Sequence, residues 1–415
     1  MKMAKLGDIA DIVMGQSPSS SDVNMERIGD PLLNGPTEFT SFYPSPVQYT
    51  EKGKKFAEKG DLLFCVRGST TGRINFADQK YAIGRGLAAI RGKNGYPTKF
   101  IELILKDCLE RILQSATGST FPNVSQAMLL DLDIGDFSLP EAIKIADILG
   151  IIDHKIHLNT QTNQTLEQIA QAIFKSWFVD FEPVKAKMQG GNLAVMEAIS
   201  GKNSEELHRL QTENPTEYQK LWAIADAFPD EIGEDGIPVG WENVYLKDVC
   251  NIVYGKNLPI KKLQEFGYPV FGGNGIIGFY EKFLYEEPHT LVSCRGAASG
   301  KVMYSQPYSF VTNNSLVIEH SKSFLSYFYI YEALRIQTLV ELTTGSAQPQ
   351  MTIANMNPVQ IILPTDKIHN LYTSQVKYLY EKIYRNNLEN EQLEKIRDEL
   401  LPKLLNGDLC NTMDN

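Results

Sequence analysis

The sequence contains an internal duplication. Its landmarks recur in the same order at a nearly constant offset: Leu166–Ile169 matches Leu393–Ile396, Thr117–Ser119 matches Thr344–Ser346, and Arg67-Gly68 matches Arg295-Gly296. Near the start of each copy, Leu6-x-Asp8 and Ile12-Val13-x-Gly15 match Leu246-x-Asp248 and Ile252-Val253-x-Gly255. This offset is far longer than a solenoid repeat, so each copy is predicted to be a whole domain with its own connector. Two similar domains in one chain predict binding to two similar targets.

Each copy is predicted to fold as a mixed domain of short strands and at least one helix. Short β-type runs alternate with turn residues, and one longer segment in each copy has apolar residues at helical spacing. The segments behind this prediction are the strand Asp61–Val66 and the helix Phe100–Gln114 in the first copy, and the strand Thr290–Ser293 and the helix Phe324–Val340 in the second. The fold class is therefore predicted to be α+β, with similar globular domains at residues 1–139 and 241–363.

A long helix is predicted to follow each domain. Both domains end at Leu-Pro, at Leu139-Pro140 and Leu363-Pro364, and proline suits the first turn of a helix. Apolar residues then recur at spacings of three and four, as in a coiled coil: Ile145, Ile148, Ile152, Leu166, Ile169 and Ile173 in the first helix, and Val376, Leu379, Ile383, Leu393, Ile396 and Leu400 in the second. The helices are assigned to residues 140–185 and 364–411. About 40 residues at ~1.5 Å each span about 60 Å, so an antiparallel pair would separate the two domains around a pseudo-two-fold axis.

Asparagine interrupts both apolar seams near the middle, at Asn159 in the first helix and at Asn386 and Asn390 in the second. A buried asparagine in a coiled coil costs stability but fixes register and partner. The alternative is that these residues lie just off the seam, in solvent. We favour pairing of the two asparagine layers, because they occur at matching places in the two helices.

Residues 186–240 belong to neither copy and are predicted to be an acidic linker or insert with one or two short helices and a solvated surface. The chain has a net charge of −10, and residues 191–240 contain ten acids but only three bases. The remainder is therefore close to neutral and can still present a locally basic face. Such a chain would bind DNA weakly alone, and a partner would have to supply more phosphate-neutralising charge.

Catalytic and metal-binding motifs are incomplete throughout the sequence. Gly273–Gly278 matches GxGxxG but is not followed by a long helix, and Gly296–Val302 resembles a phosphate-binding loop that is one residue short and lacks the final Ser or Thr. His154 and His157 lack a third ligand, so no metal site is predicted. Five cysteines without a CxxC pair, and a start without an apolar stretch, predict a cytoplasmic protein that does not enter a membrane.

The pattern that does recur is a loop of Arg-Gly-x-x-x-Gly followed by Arg or Lys, directly after a strand in each copy. Its glycines, hydroxyls and cations suit phosphate contact or recognition of guanine edges. The alternative, left open here, is a structural hairpin whose arginine caps a strand. Together with cations and amides in neighbouring loops, the candidate DNA-binding residues are Arg67, Ser69, Thr70, Arg73, Arg85 and Arg91 in the first copy, and Lys256, Arg295, Lys301, Asn313 and Asn314 in the second.

The chain resembles the specificity (S) subunits of type I restriction–modification enzymes. Ile173–Val184, with the run Trp-Phe-Val-Asp-Phe-Glu-Pro, is similar to the central signature of that family. Gly236–Trp241, continuing to Leu246-x-Asp248-Val249, is similar to the entry to its second recognition domain. Leu6–Asp11 and Gly15–Pro18 are similar to the entry to the first.

The resemblance implies two target-recognition domains, each of which reads one half of a split, asymmetric site in double-stranded DNA. The helices would set the length of the non-specific spacer and dock two methyltransferase (M) subunits. Those partners would carry S-adenosylmethionine and methylate adenine, and motor-nuclease (R) subunits would join for cleavage. The S subunit itself would bind no cofactor and catalyse no reaction.

An exposed aromatic cluster in the central signature is the predicted docking site for a partner, or for the end of the second helix. It consists of Ile173, Phe174, Trp177, Phe178 and Phe181, and Leu400, Leu401, Leu404 and Leu405 occupy the equivalent places in the second copy. A docking surface that occurs twice would explain two identical partners.

Overall fold

The computed structural model describes residues 4–40, 42–116, 122–345 and 348–406. The chain forms two compact units, one of Met1–Thr160 with Asn387–Asn415 and one of Gln161–Asn386. Each unit therefore contains one α+β domain and part of both long helices, which differs from the predicted boundaries at 139/140 and 363/364. The reason is that helical residues complete the hydrophobic core of each domain. The landmark Thr117–Ser119, residue Ser346 and the predicted end of the second helix at 407–411 lie outside the described residues.

The first unit contains the strands β1 (Ala4–Lys5), β2 (Ala10–Met14), β3 (Asp30–Leu33), β4 (Gln48–Thr50), β5 (Phe56–Ala57), β6 (Leu62–Cys65), β7 (Ile74–Phe76), β8 (Tyr81–Ile83), β9 (Leu87–Gly92) and β10 (Asp133–Gly135). Its helices are α1 (Leu6–Ile9), α2 (Thr98–Asp107), α3 (Leu109–Ser115), α4 (Gln126–Leu130) and the start of α5 (Leu139–Phe178). Two four-stranded sheets, in the orders β2-β9-β6-β7 and β4-β3-β8-β5, accompany the pair β1-β10.

The predicted strand Asp61–Val66 is confirmed as β6. Its continuous apolar run is explained by burial on both faces: Leu62 and Phe64 belong to the core shared with α2 and α5, whereas Leu63 and Cys65 belong to the core against the second sheet. The predicted helix Phe100–Gln114 is divided into α2 and α3 at Cys108, whose backbone leaves helical geometry at φ −85° and ψ 0°.

The second unit begins within α5 and continues with three helices, α6 (Glu182–Ser200), α7 (Ser204–Glu213) and α8 (Pro215–Ala227). Its strands are β11 (Glu242–Tyr245), β12 (Asn251–Tyr254), β13 (Tyr268–Gly272), β14 (Gly275–Tyr280), β15 (Thr290–Ser293), β16 (Val302–Tyr304), β17 (Phe310–Val311), β18 (Ser315–Glu319) and β19 (Gln360–Leu363). Its further helices are α9 (Leu246–Val249), α10 (Tyr327–Arg335), α11 (Ile353–Met356) and the start of α12 (Asp366–Leu405).

The duplication is confirmed at the level of sheet topology. The order β12-β18-β15-β16 repeats β2-β9-β6-β7, the order β14-β13-β17 repeats β4-β3-β8, and the pair β11-β19 repeats β1-β10. In both copies, one pair in the second sheet is parallel (β3 with β8, β13 with β17) and the other pairs between named strands are antiparallel. Each copy is therefore one version of the same α+β fold.

Within each unit, the two long helices pair in antiparallel fashion through an asparagine layer. In the first unit, the Asn159 amide donates to Asn390 Oδ1 at 2.9 Å. In the second, the buried Asn386 amide donates to Asn163 Oδ1 at 2.8 Å. Position numbers rise along one helix as they fall along the other, which is the antiparallel register. The predicted pairing of asparagine layers is thus confirmed, and Asn163 is a partner that the seam pattern did not identify.

The segment predicted as a linker is a packed helical element. Leu207, Ile224 and Phe228 are buried in the core of the second unit, so the prediction of one or two short helices is wrong. Glycine does interrupt this segment as expected, because α6 is kinked at Gly190 and Gly191, where the backbone is not helical. The first long helix ends at Phe178 rather than at 185, because Phe181 adopts a left-handed conformation at φ 52°.

Most acids of this segment remain exposed, including Glu205, Glu213, Glu217 and Glu234, as the prediction of a solvated face required. None of the helices in the described ranges combines the length and the apolar composition of a membrane span.

Candidate nucleic-acid interface

In the first unit, most of the candidate residues lie at one end of the sheet β2-β9-β6-β7. Cys65 at the end of β6 pairs with Leu87 at the start of β9, and Met14 at the end of β2 pairs with Ala88. The connections that begin or end here are residues 15–19, 66–73 and 84–86. Five of the predicted residues lie in these connections: Arg67, Ser69, Thr70, Arg73 and Arg85.

The loop of residues 66–73 has a well-defined backbone. Gly72 N donates to Cys65 O at 2.8 Å and Cys65 N donates to Arg73 O at 2.9 Å, which closes the β6–β7 hairpin. Gly68 and Gly72 have φ near +90°, a conformation that glycine tolerates without strain. Arg67 Nε donates to Asn123 Oδ1 at 3.2 Å, while the Arg73 side chain is exposed. The hairpin interpretation is therefore correct for the backbone, and it leaves the cations at the surface.

Arg91 lies at the opposite end of the same sheet, so its predicted place among the DNA-binding residues is corrected. It follows Ile90, which pairs with Leu62 at the start of β6. Its Nη2 contacts the buried Asp61 carboxylate at 2.6 Å, and this hydrogen bond raises the pKa of Arg91. The guanidinium thus neutralises a buried acid that precedes β6.

In the second unit, all five candidate residues gather at the equivalent end of the sheet β12-β18-β15-β16. Arg295 and Lys301 lie in the β15–β16 connection, Lys256 follows β12, and Asn313 and Asn314 precede β18. Cys294 N donates to Asn314 O at 2.9 Å, so the Arg295 loop lies directly beside the asparagine pair.

These two sheet ends are free of acidic residues in a chain that is acidic as a whole. No Asp or Glu occurs in residues 15–19, 66–73 or 84–86, nor in residues 255–258, 272–275, 294–301 or 312–314. At the opposite end of the first sheet lie Asp11, Glu58 and Asp61. Since the local field governs attraction of a phosphate backbone, each domain has one electrostatically suitable end.

Three residues at these ends were not identified from the sequence. Gln16 occupies the position equivalent to Lys256, since Gln16 N bonds to Ile83 O as Lys256 N bonds to Val311 O. Asn34 Nδ2 donates to Gln48 Oε1 at 2.9 Å. Asn274, in the β13–β14 turn, accepts a hydrogen bond of 2.6 Å from Lys301. The match between Gly15-Gln16 and Gly255-Lys256 was the available signal for Gln16.

The aromatic cluster predicted for partner docking is part of the core of the second unit. Phe174, Trp177 and Phe178 are buried and Phe181 is partly buried. The Trp177 ring meets Phe228 edge to face with centroids 4.9 Å apart, and Phe178 contacts Tyr372 at 5.1 Å. The predicted exposure is therefore wrong, and the helical partner is the beginning of α12 rather than its end.

The equivalent leucines have the same role in the first unit. Leu404 is buried, and Leu401 and Leu405 pack partly buried against the core that contains Phe100 and Leu149. These leucines are therefore not free to form a docking surface either. Both sets of residues close the core of an α+β domain onto the long helices.

The sequence profile described as the type I restriction modification DNA specificity domain matches residues 1–168 and 238–397. The chain belongs to the type I restriction–modification specificity subunits. The two matched ranges correspond to the two copies, so this S subunit has two target-recognition domains. The helices α6–α8 lie between the matched ranges.

The S subunit is similar to named relatives over most of its length. It is 33% identical to the type I restriction enzyme HindI specificity subunit of Haemophilus influenzae, over 86% of this chain and 88% of that protein. It is 26% identical to the MjaIX specificity subunit of Methanocaldococcus jannaschii, over 98% and 92%. The crystal structure of an S subunit from M. genitalium shares its fold, with a TM-score of 0.58, 18% identity, and coverage of 97% and 95%.

Proposed function

We propose that each recognition domain binds double-stranded DNA with the acid-free end of its four-stranded sheet and reads one half of a bipartite, asymmetric site. The observation that carries this proposal is that two copies of one fold gather cations and amides at the same sheet end. Phosphate contacts position a protein on DNA, and a few side chains in the major groove select bases. With about three exposed cations per domain and a net charge of −10, the chain alone binds DNA weakly.

The long helices set the distance between the half-sites and dock two methyltransferase subunits through their exposed faces. Because the aromatic cluster and the leucines are buried, docking falls on other residues. Ile151 and Tyr378 are 70% and 78% exposed and occupy equivalent positions in the two copies. Ile169 and Ile396, which are related by the same offset, are both exposed. A large apolar side chain exposed at matching positions suits the same partner surface binding twice.

The chemistry belongs to the partner subunits in this proposal. The methyltransferase subunits hold S-adenosylmethionine and methylate adenine, and motor-nuclease subunits join them for cleavage. The S subunit supplies recognition and geometry and transfers no methyl group itself.

The proposal predicts that methyl transfer needs the partners and that its target is split. The chain alone and its complex with the cognate methyltransferase subunits are each incubated with labelled S-adenosylmethionine and a randomised DNA library. We expect label in DNA only with the complex, at a motif of two defined halves around a gap of fixed length. Label incorporated by the chain alone would make it an enzyme. Methylation by the complex without sequence preference would make the chain a scaffold.

A further inference from the structure

The turn that joins the two sheets of each recognition domain is built by the same hydrogen bonds in both copies. In the first copy it comprises Gly84–Leu87, between β8 and β9, and in the second Thr312–Ser315, between β17 and β18. Five backbone bonds recur: Leu87 N to Gly84 O, Gly84 N to Leu33 O, Gln16 N to Ile83 O, Gly15 N to Leu87 O and Val66 N to Gly86 O correspond to Ser315 N to Thr312 O, Thr312 N to Phe271 O, Lys256 N to Val311 O, Gly255 N to Ser315 O and Cys294 N to Asn314 O. Arg85 is therefore the structural equivalent of Asn313, and Gly86 that of Asn314.

The turn of the first copy is closely packed against its surroundings. A Cβ atom on Gly84 would lie 2.3 Å from Asn34 Oδ1, and one on Gly86 would lie 2.4 Å from Asn34 O. A Cβ atom on Gly15 would lie 2.1 Å from Gly84 O. No side chain fits at these positions without a backbone shift, so the turn holds the Arg85 backbone in place.

The side chains at the tip of the turn are available to a ligand. Arg85 and Asn314 are exposed and Asn313 is partly exposed. Within residues 4–40, 42–116, 122–345 and 348–406, no group accepts from the Arg85 guanidinium or bonds to the side-chain amides of Asn313 and Asn314. Arg91 and Lys301, in contrast, already have partners in Asp61 and Asn274.

The two copies differ in chemistry at this turn but agree in charge in the neighbouring loop. Arg67 corresponds to Arg295 and Arg73 to Lys301, so a cation occurs in both copies at both positions. Such positions suit phosphates, which every half-site offers. At the turn, a guanidinium in one copy is replaced by two neutral amides in the other. A neutral amide does little for phosphate affinity, and a change of hydrogen-bonding group suits a change of base.

We propose that this turn is a base-selecting element of each domain, an inference that rests on the proposed DNA-binding function. Arg85 selects a G·C pair by donating to guanine O6 and N7 in the major groove. In the other domain, Asn313 and Asn314 select an A·T pair, since an amide accepts from adenine N6 and donates to N7. The two half-sites therefore differ at the base pair that faces this turn.

The test uses the S subunit in complex with its methyltransferase subunits and a DNA library with randomised positions. Base frequencies at each motif position are compared among methylated molecules for the wild type, Arg85→Ala, Arg85→Asn, and the double variant Asn313→Ala with Asn314→Ala. Lys59→Ala is the matched control, because it removes an exposed cation at the opposite end of the same sheet. Thermal unfolding and complex formation equal to the wild type establish that each variant is folded.

We expect Arg85→Ala to reduce discrimination at a single G·C pair in one half-site by roughly 10- to 100-fold, the selectivity that one bidentate contact supplies. All other motif positions stay unchanged. The double asparagine variant has the same effect at one A·T pair in the other half-site, and Lys59→Ala changes no position. Arg85→Asn shifts the preference at the affected position from guanine toward adenine.

A uniform loss of methylation by Arg85→Ala with an unchanged motif would make Arg85 a phosphate contact and overturn the inference. No effect at all would overturn it as well. In both cases, a split motif for the wild type would leave the proposed function intact. If the wild type itself shows no split motif, the proposed function fails and the inference fails with it.

Discussion

Replacement of Trp177 by alanine is expected to lower the free energy of unfolding of the second unit by about 3–5 kcal/mol. Trp177 is only 5% exposed and its ring packs against Phe228, Phe178 and Tyr372. These partners come from the segment after α8, from α5 itself and from α12. Truncation therefore opens a cavity where three parts of the unit meet, and the surrounding rings cannot all move inward to fill it.

Urea unfolding followed by far-ultraviolet circular dichroism measures this loss. Trp222→Ala is the matched control, because Trp222 lies in α8 of the same unit, is 37% exposed and contacts mainly Tyr218. The control is expected to cost less than about 1 kcal/mol. Equal losses for the two variants would contradict the burial described here. Any loss of partner binding by Trp177→Ala would then have to be compared with the fraction of unfolded chain.

Replacement of Asp153 by asparagine is expected to destabilise the first unit by about 2–4 kcal/mol at neutral pH. Asp153 on α5 accepts hydrogen bonds from Lys99 on α2 and, at 3.1 Å, from Arg397 on α12. All three side chains are about one-quarter exposed. The substitution leaves two cations poorly compensated at the place where the recognition domain meets both long helices.

The contribution of Asp153 also depends on pH. Burial by itself would raise the pKa of Asp153, but the charge and hydrogen bond of Lys99, together with Arg397, outweigh burial and lower it below the ordinary value of 3.8. A lowered pKa means that the stabilisation is complete above the ordinary pKa and is lost as the pH falls through the pKa in the folded state. The difference between wild type and Asp153→Asn should therefore shrink in strongly acidic solution.

Chemical denaturation of both proteins at pH 7 and at pH values below about 4 measures that difference. Asp11→Asn is the control in the same unit, since Asp11 is mostly exposed and its contact with Lys93 is 4.0 Å long. An exposed pair of this kind is worth at most about 1 kcal/mol. A loss for Asp153→Asn no larger than that of Asp11→Asn, or one that does not change with pH, would refute the assigned role.

Local sequence patterns were sufficient for the elements whose cause is local. The second helix agrees with the apolar spacing between Asp366 and Leu405, and the asparagine layers follow from their place in the seam. The candidate loops were found because they recur after equivalent strands. Sheet pairing alone decides which of them meet at one end, which is why Arg91 was grouped with Arg85 although it pairs with Asp61.

The burial of the aromatic cluster could not be derived from local pattern. An aromatic stripe on a helix has the same sequence whether it faces a partner protein or its own core. The side chains that cover Trp177 and Phe178 include Phe228, Trp241 and Tyr372, which all lie far along the chain from the stripe itself. The three helices α6–α8 were underestimated for a related reason, since Gly190, Gly191 and Pro215 interrupt the apolar period although the helices pack together.

The most direct test of the central claim, that each domain reads one half of the target independently, is a domain exchange. Residues 1–139 are replaced by the first recognition domain of an S subunit with a different target, with the junction at Leu139 where α5 begins. The exchanged complex is then mapped for methylated sites in genomic DNA, beside the reciprocal exchange of residues 241–363. The account predicts that each exchange changes one half of the motif and leaves the other half and the gap length unchanged. A change in both halves after a single exchange would contradict it.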